Sequence, residues 1–72
     1  MARLKTKINE FRKEKGLQQA ELAALVNVRR ETIVNLENGK YNPSLKLAMD
    51  IAKVFGHPVE DIFFFIETED DQ

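Results

Sequence analysis

Apolar residues recur along the chain at helical spacing, and the breaks in that rhythm fall at residues that end helices. Leu4, Ile8 and Phe11 stand at i, i+4 and i+7 and predict a first helix from Ala2 to Lys15, with Lys5, Glu10, Arg12, Lys13, Glu14 and Lys15 on its wet side. Gly16 ends it, where Lys13 and Lys15 suit the negative end of the helix dipole. Leu22, Ala23 and Val26 mark a second helix from Gln19 to Val26, and Ile33 and Leu36 a third from Arg30 to Asn38. Asn27 is the corner between them, because two abutting helices need one residue in the left-handed region and Asn reaches it cheaply after Gly. Val28 plugs the core beside it. Pro43 bars a helix before it and Ser44 caps a fourth, Leu45 to Phe55, with Leu45, Ala48, Ile51, Ala52 and Phe55 inward and Leu47 and Met49 toward its edges. Gly56 stops that helix, and Pro58 opens a short fifth one from Val59 to about Phe63.

The outer face of the third helix is lopsided. With Ile33 and Leu36 inward, the positions left for a partner are Arg29, Arg30, Glu31, Val34 and Asn35. Arginine donates two parallel hydrogen bonds to guanine, asparagine pairs with the edge of adenine, a small apolar group meets a thymine methyl, and a carboxylate accepts from cytosine. Glu31 has a second possible task, holding Arg29 or Arg30 in place. The alternative is an ordinary basic, solvated helix face.

Charge sharpens this picture once it is divided. The whole chain carries −1, but the segment from Glu67 to Gln72 holds four acids and no base. Residues 1–66 hold 11 basic and 8 acidic side chains, a net +3, and residues 1–40 hold 9 and 5, a net +4. The half with the candidate reading helix is thus the basic half, as phosphate neutralisation requires. Seventy-two residues allow one domain, expected over 1–66, followed by an acidic disordered tail, 67–72. Cysteine is absent, which excludes a disulfide framework and a thiolate metal site. No run approaches the roughly 18 apolar residues of a membrane span, and no signal-peptide pattern opens the sequence, so a cytoplasmic protein is expected. His57 stands alone, no glycine loop cradles a phosphate, and the one serine is the cap Ser44, so no catalytic constellation is present. Neither a metal, a cofactor nor a small-molecule ligand is expected.

These residues also carry a family pattern. Gly16-Leu17, Gln19, Glu21-Leu22-Ala23, Thr32-Ile33, Leu36-Glu37-Asn38-Gly39-Lys40, Asn42-Pro43-Ser44-Leu45 and Ile51-Ala52 follow one another in an order that resembles the phage-repressor and Cro type of helix-turn-helix domain. The resemblance spans Ile8 to Ile62, about three quarters of the chain. It implies an all-α, five-helix, lambda-repressor-like domain whose third helix enters the major groove of double-stranded DNA. It further implies an ion pair between Arg12 and Glu37, tying helix one to the end of helix three. Gln19 matches a position that contacts a phosphate. Backbone contacts are then expected from Gln19, Thr32, Asn38, Gly39, Lys40 and Tyr41, and base contacts from Arg29, Arg30, Glu31, Val34 and Asn35. Two departures from the pattern concern helix starts: Gln18 and Arg29 stand where Thr or Ser is usual, so helix three loses its capping bond and helix two starts weakly unless Glu21 reaches back to the backbone.

The resemblance also implies a site with inverted symmetry, read by a homodimer through a contact that family members often make with the fifth helix. The run from Phe63 to Ile66 has more apolar surface than one helical turn can bury, so Ile62 and Phe63 are expected to finish the core. Phe64, Phe65 and Ile66 are expected to leave as a short dimerisation strand paired across a two-fold axis, the alternative being a tail folded back on its own monomer. The sum is a small transcriptional regulator, a repressor by default. A protein-interaction or antitoxin-like module of the same fold is the rival, and steep salt dependence of DNA binding separates the two.

Overall fold

The computed structural model describes residues 2–40 and 42–67. Along the chain run β1 (Ala2–Thr6), α1 (Ile8–Glu14), α2 (Gln19–Leu25), α3 (Arg30–Glu37), α4 (Leu45–Phe55), α5 (Val59–Ile62) and β2 (Phe63–Glu67). The described residues form five helices, but the protein is not all-α: β1 and β2 pair as a two-stranded antiparallel sheet with Leu4 opposite Phe65. Of the tail expected over 67–72, Glu67 instead closes β2 opposite Ala2, while Tyr41 and residues 68–72 lie outside the described residues.

The main correction is at the first element, which is a strand up to Thr6 and a helix only from Ile8. Leu4 and Ile8 are both buried, as either structure would allow, so helical spacing alone did not decide. A distant segment decides it. Phe63–Glu67 offers an aromatic-rich strand, and aromatic side chains favour a pleated, half-buried surface. The pairing continues to the N-cap of α1, where the Lys7 amide donates to the Ile62 carbonyl at 2.8 Å. The strand expected after α5 is therefore present, and its partner is β1 of the same chain. The fifth helix ends one residue earlier than expected, because Phe63 is already extended, and Pro58 is its N-cap, not its first helical residue.

Ile8, Leu22, Ile33, Leu36, Ile51 and Ile62 form a fully buried centre drawn from all five helices. On α4 the inward stripe is Leu47, Ala48, Ile51 and Phe55, while Leu45 is 74% exposed. This helix is apolar on more than one side, so the pattern alone did not choose which leucine goes in. Asn27 takes φ of 62°, the left-handed corner between α2 and α3. The Ser44 hydroxyl caps α4 by accepting from the Leu47 amide at 3.1 Å.

β1 also braces the far end of α3. Gly39 passes so close to β1 that a Cβ built on it would lie 2.7 Å from the Leu4 carbonyl oxygen, and its φ is +68°. The Thr6 hydroxyl makes a long hydrogen bond, 3.4 Å, to the Leu36 carbonyl. At Gly16, by contrast, φ is +70° and no atom lies within 4 Å of a built Cβ. Gly16→Ala should therefore cost about 1 kcal/mol of left-handed strain, and Gly39→Ala about 2–3 kcal/mol because the backbones must also part. Chemical unfolding of the two variants checks the order.

Candidate nucleic-acid interface

The candidate reading face is built by burying one side of α3. Ile33 and Leu36 are fully buried, which turns Arg29, Arg30, Glu31 and Asn35 outward, all exposed, with Thr32 and Val34 half-buried at the margins. The corner at Asn27 presses α3 against α2. Arg29 is the N-cap of α3 and makes no side-chain capping bond, so its guanidinium is free to lie outside the helix start. The start of α2 is secured differently: the Glu21 carboxylate accepts from the Gln18 amide at 2.8 Å. Beyond α3, Asn38 and Lys40 are exposed and Gly39 is half-buried.

Beneath this face lies a polar network. Arg12 Nε donates to Glu37 Oε2 at 2.7 Å, with the two side chains only 10% and 6% exposed. A second Arg12 nitrogen donates to the Leu17 carbonyl at 2.9 Å, tying down the chain between α1 and α2. Glu37 Oε1 also accepts from Gln19 at 3.1 Å and from Asn9 at 3.4 Å. Gln19 Oε1 in turn accepts from Arg30 at 3.1 Å. One carboxylate thus fixes α1, α2 and α3 relative to one another, and its influence reaches a residue of the reading face.

Of the expected backbone contacts, Gln19 stands beside Arg30 while Asn38, Gly39 and Lys40 cluster at the other end of α3. Tyr41 lies outside the described residues. Glu31 makes no ion pair among the described residues, so Gln19 and not Glu31 steadies Arg30. Phe64 is half-buried in a cleft with Phe11, His57 and Lys7, whereas Phe65 is 60% and Ile66 40% exposed. His57 stacks on Phe11 with ring centroids 4.3 Å apart, a packing role. Asn9, which joins the Glu37 network, escaped the sequence reading, and Lys13, expected only as a solvated last-turn cation, shares an open polar surface with Gln19 and Arg30. The only signal for Asn9 was its i, i+3 spacing from Arg12, one turn along the same helix face.

Burial pushes the Glu37 carboxyl up, but hydrogen bonds from Arg12, Gln19 and Asn9, together with the Arg12 charge, hold it below its ordinary 4.5. A carboxyl lowered on folding adds stability above its unfolded pKa and loses it as pH falls through its folded value. Stability should therefore drop as pH falls below about 4.5, and Glu37→Gln should lessen that drop in urea unfolding compared across acid and neutral pH. Arg12→Ala leaves a buried carboxylate unpaired and should cost about 3–5 kcal/mol in the same measurement.

Comparison with known proteins agrees with this geometry. A family model described as helix-turn-helix matches residues 8–62. An uncharacterised HTH-type transcriptional regulator of Archaeoglobus fulgidus is 61% identical over 66 residues, covering 92% of this chain and 93% of its own. The cryptic phage CTXphi transcriptional repressor RstR of Vibrio cholerae is 31% identical over 67 residues, covering 93% of this chain and 60% of its own. Among solved structures, the restriction-modification controller protein C.AhdI of Aeromonas hydrophila superposes with a TM-score of 0.68 at 30% identity, over 75% of this chain and 82% of its own.

Proposed function

This chain belongs to the helix-turn-helix family and is a transcriptional regulator with that DNA-binding fold, and from that premise we propose that it reads an inverted-repeat operator as a homodimer and represses from it. The observation that carries the reading is the exposure of Arg29, Arg30 and Asn35 on one helix whose opposite side is wholly buried. In the major groove the two arginines fork onto guanines and Asn35 onto an adenine, while Val34 meets a thymine methyl and Glu31 a cytosine amine. Asn38, Gly39 and Lys40 hold the sugar-phosphate backbone, with Gln19 and Thr32 at the other end of α3, and Tyr41 is assigned to the same group. Two copies then reach successive major grooves one helical turn apart, and the bound site is closed to polymerase in the cytoplasm.

Such a dimer needs an apolar contact that matches itself. β2 already pairs with β1, which leaves Phe65 and Ile66 as a small apolar surface. The larger one is an open groove of about 620 Å³ between α4 and α5, lined by Leu45, Met49, Ala52, Pro58 and Val59. On its rim Lys46 and Asp50 already pair with each other at 2.7 Å, which leaves Lys53 at the edge and an apolar floor that a two-fold axis can match to itself. We assign the groove to the second copy, with the Phe64–Phe65–Ile66 surface as its competitor.

Selection of bound fragments from a random duplex pool should return a symmetric site, and affinity for it should fall steeply with salt. Arg30→Ala should weaken binding by about 1–3 kcal/mol and relax preference at one base pair. An equal loss on every sequence would reassign Arg30 to the phosphates. In the same preparations Met49→Glu should yield a monomer by light scattering and Phe65→Glu should not. The reverse result moves the dimer contact to β2.

A further inference from the structure

The segment expected to be the first turns of a helix is a strand, and that change rearranges its charges. On a helix, Arg3 and Lys5 would point in directions about 200° apart. On a strand, residues two apart share a face. Leu4 is buried and the Thr6 hydroxyl bonds to the end of α3, so Arg3 and Lys5 are left together on the outer side, both exposed.

The strand is no loose arm. One edge pairs with β2, and the Leu4 carbonyl on the other lies against Gly39, at the point where the chain leaves α3. A polar cleft of about 250 Å³ results, in which Arg3 and Lys5 meet Asn38 and Gly39. Among the described residues Glu37 is the one carboxylate lining that cleft, and Arg12 already neutralises it. Neither Arg3 nor Lys5 makes an ion pair among the described residues.

We propose that β1 is a second DNA-backbone element, in which Arg3 and Lys5 extend the phosphate-binding edge that begins at Asn38, Gly39 and Lys40. This rests on the DNA-reading function proposed above and adds to it a ligand group, the phosphodiester backbone flanking the bases read by α3. The two cations carry no sequence information. Their contribution is affinity and register, delivered without ordering a flexible arm, because the strand is already held on both edges.

The test measures affinity of the full chain for the selected operator and for a mixed-sequence duplex across a salt series, with Arg3→Ala, Lys5→Ala and Lys15→Ala beside the unaltered protein. Lys15 lies on the side of α1 opposite Lys13 and controls for loss of one positive charge. Each phosphate contact removed should reduce the salt slope by about 0.9, so the loss of affinity between about 50 and 200 mM salt should shrink by a factor of roughly 3.5. Arg3→Ala and Lys5→Ala should show that change equally on both duplexes, and Lys15→Ala should not. Far-UV circular dichroism and melting confirm that the variants keep their fold, since Leu4 and Thr6, the inward residues of β1, are untouched. If the unaltered protein binds with a steep slope and Arg3→Ala and Lys5→Ala keep it, the strand is not a contact and the reader stands. An equal change in Lys15→Ala reduces the effect to net charge and also overturns the contact. If the unaltered protein shows no salt-dependent binding, the reading itself fails and this inference goes with it.

Discussion

Glu37 ends α3 and Arg12 lies midway along α1, and the bond between them crosses the interior at 2.7 Å with both side chains nearly closed off from water. A charge in such a place is tolerable only if its hydrogen-bonding capacity is filled, and here it is. Glu37 accepts from Arg12, Gln19 and Asn9, while Arg12 spends a further donor on the Leu17 carbonyl. Well-packed apolar residues in place of such a pair often match it in stability. What apolar packing lacks is direction. Only a directional network can fix the amide of Gln19 so that its nitrogen faces Glu37 and its oxygen faces Arg30. The angle of the reading helix and the set of one of its arginines thus share a single origin.

The helices α2, α3 and α4 were legible because each depends on local information: an apolar stripe, a residue tolerant of positive φ, a capping serine. The capping weakness at Gln18 was legible too, and so was its remedy in Glu21. What local information could not supply was the identity of β1. Leu4 satisfies both a helical and an alternating pattern, and the choice was made by a partner almost the whole described chain away. The two sides of α4 posed the same difficulty on a smaller scale. Leu45 and Leu47 are equally apolar, and only the shape of the surrounding core selected Leu47.

The candidate site divides along the same line. Residues whose role follows from facing outward on α3, such as Arg29, Arg30 and Asn35, could be named from spacing. The tie between Arg12 and Glu37 needed a family resemblance, since nothing in the order of residues brings α1 to the end of α3. Asn9 and the hold of Gln19 on Arg30 were visible in neither way, because each arises from side chains meeting across three helices. Glu31 shows the opposite error. Its nearness in sequence suggested a tether for the arginines, yet the tether comes from α2.

The ribbon that joins β1 to β2 links the earliest and latest described segments of the chain. Synthesis on a ribosome proceeds from β1 onward, so β1 waits without its partner until β2 has emerged. Until then the underside of Gly39 has no wall to rest on, and the C-terminal end of α3 lacks its brace. Closing so long a loop is slow pairing, because its entropy must be lost before the two strands gain anything from each other. A nascent copy therefore gains the brace under the end of α3 only once β2 has been made, after every described helix.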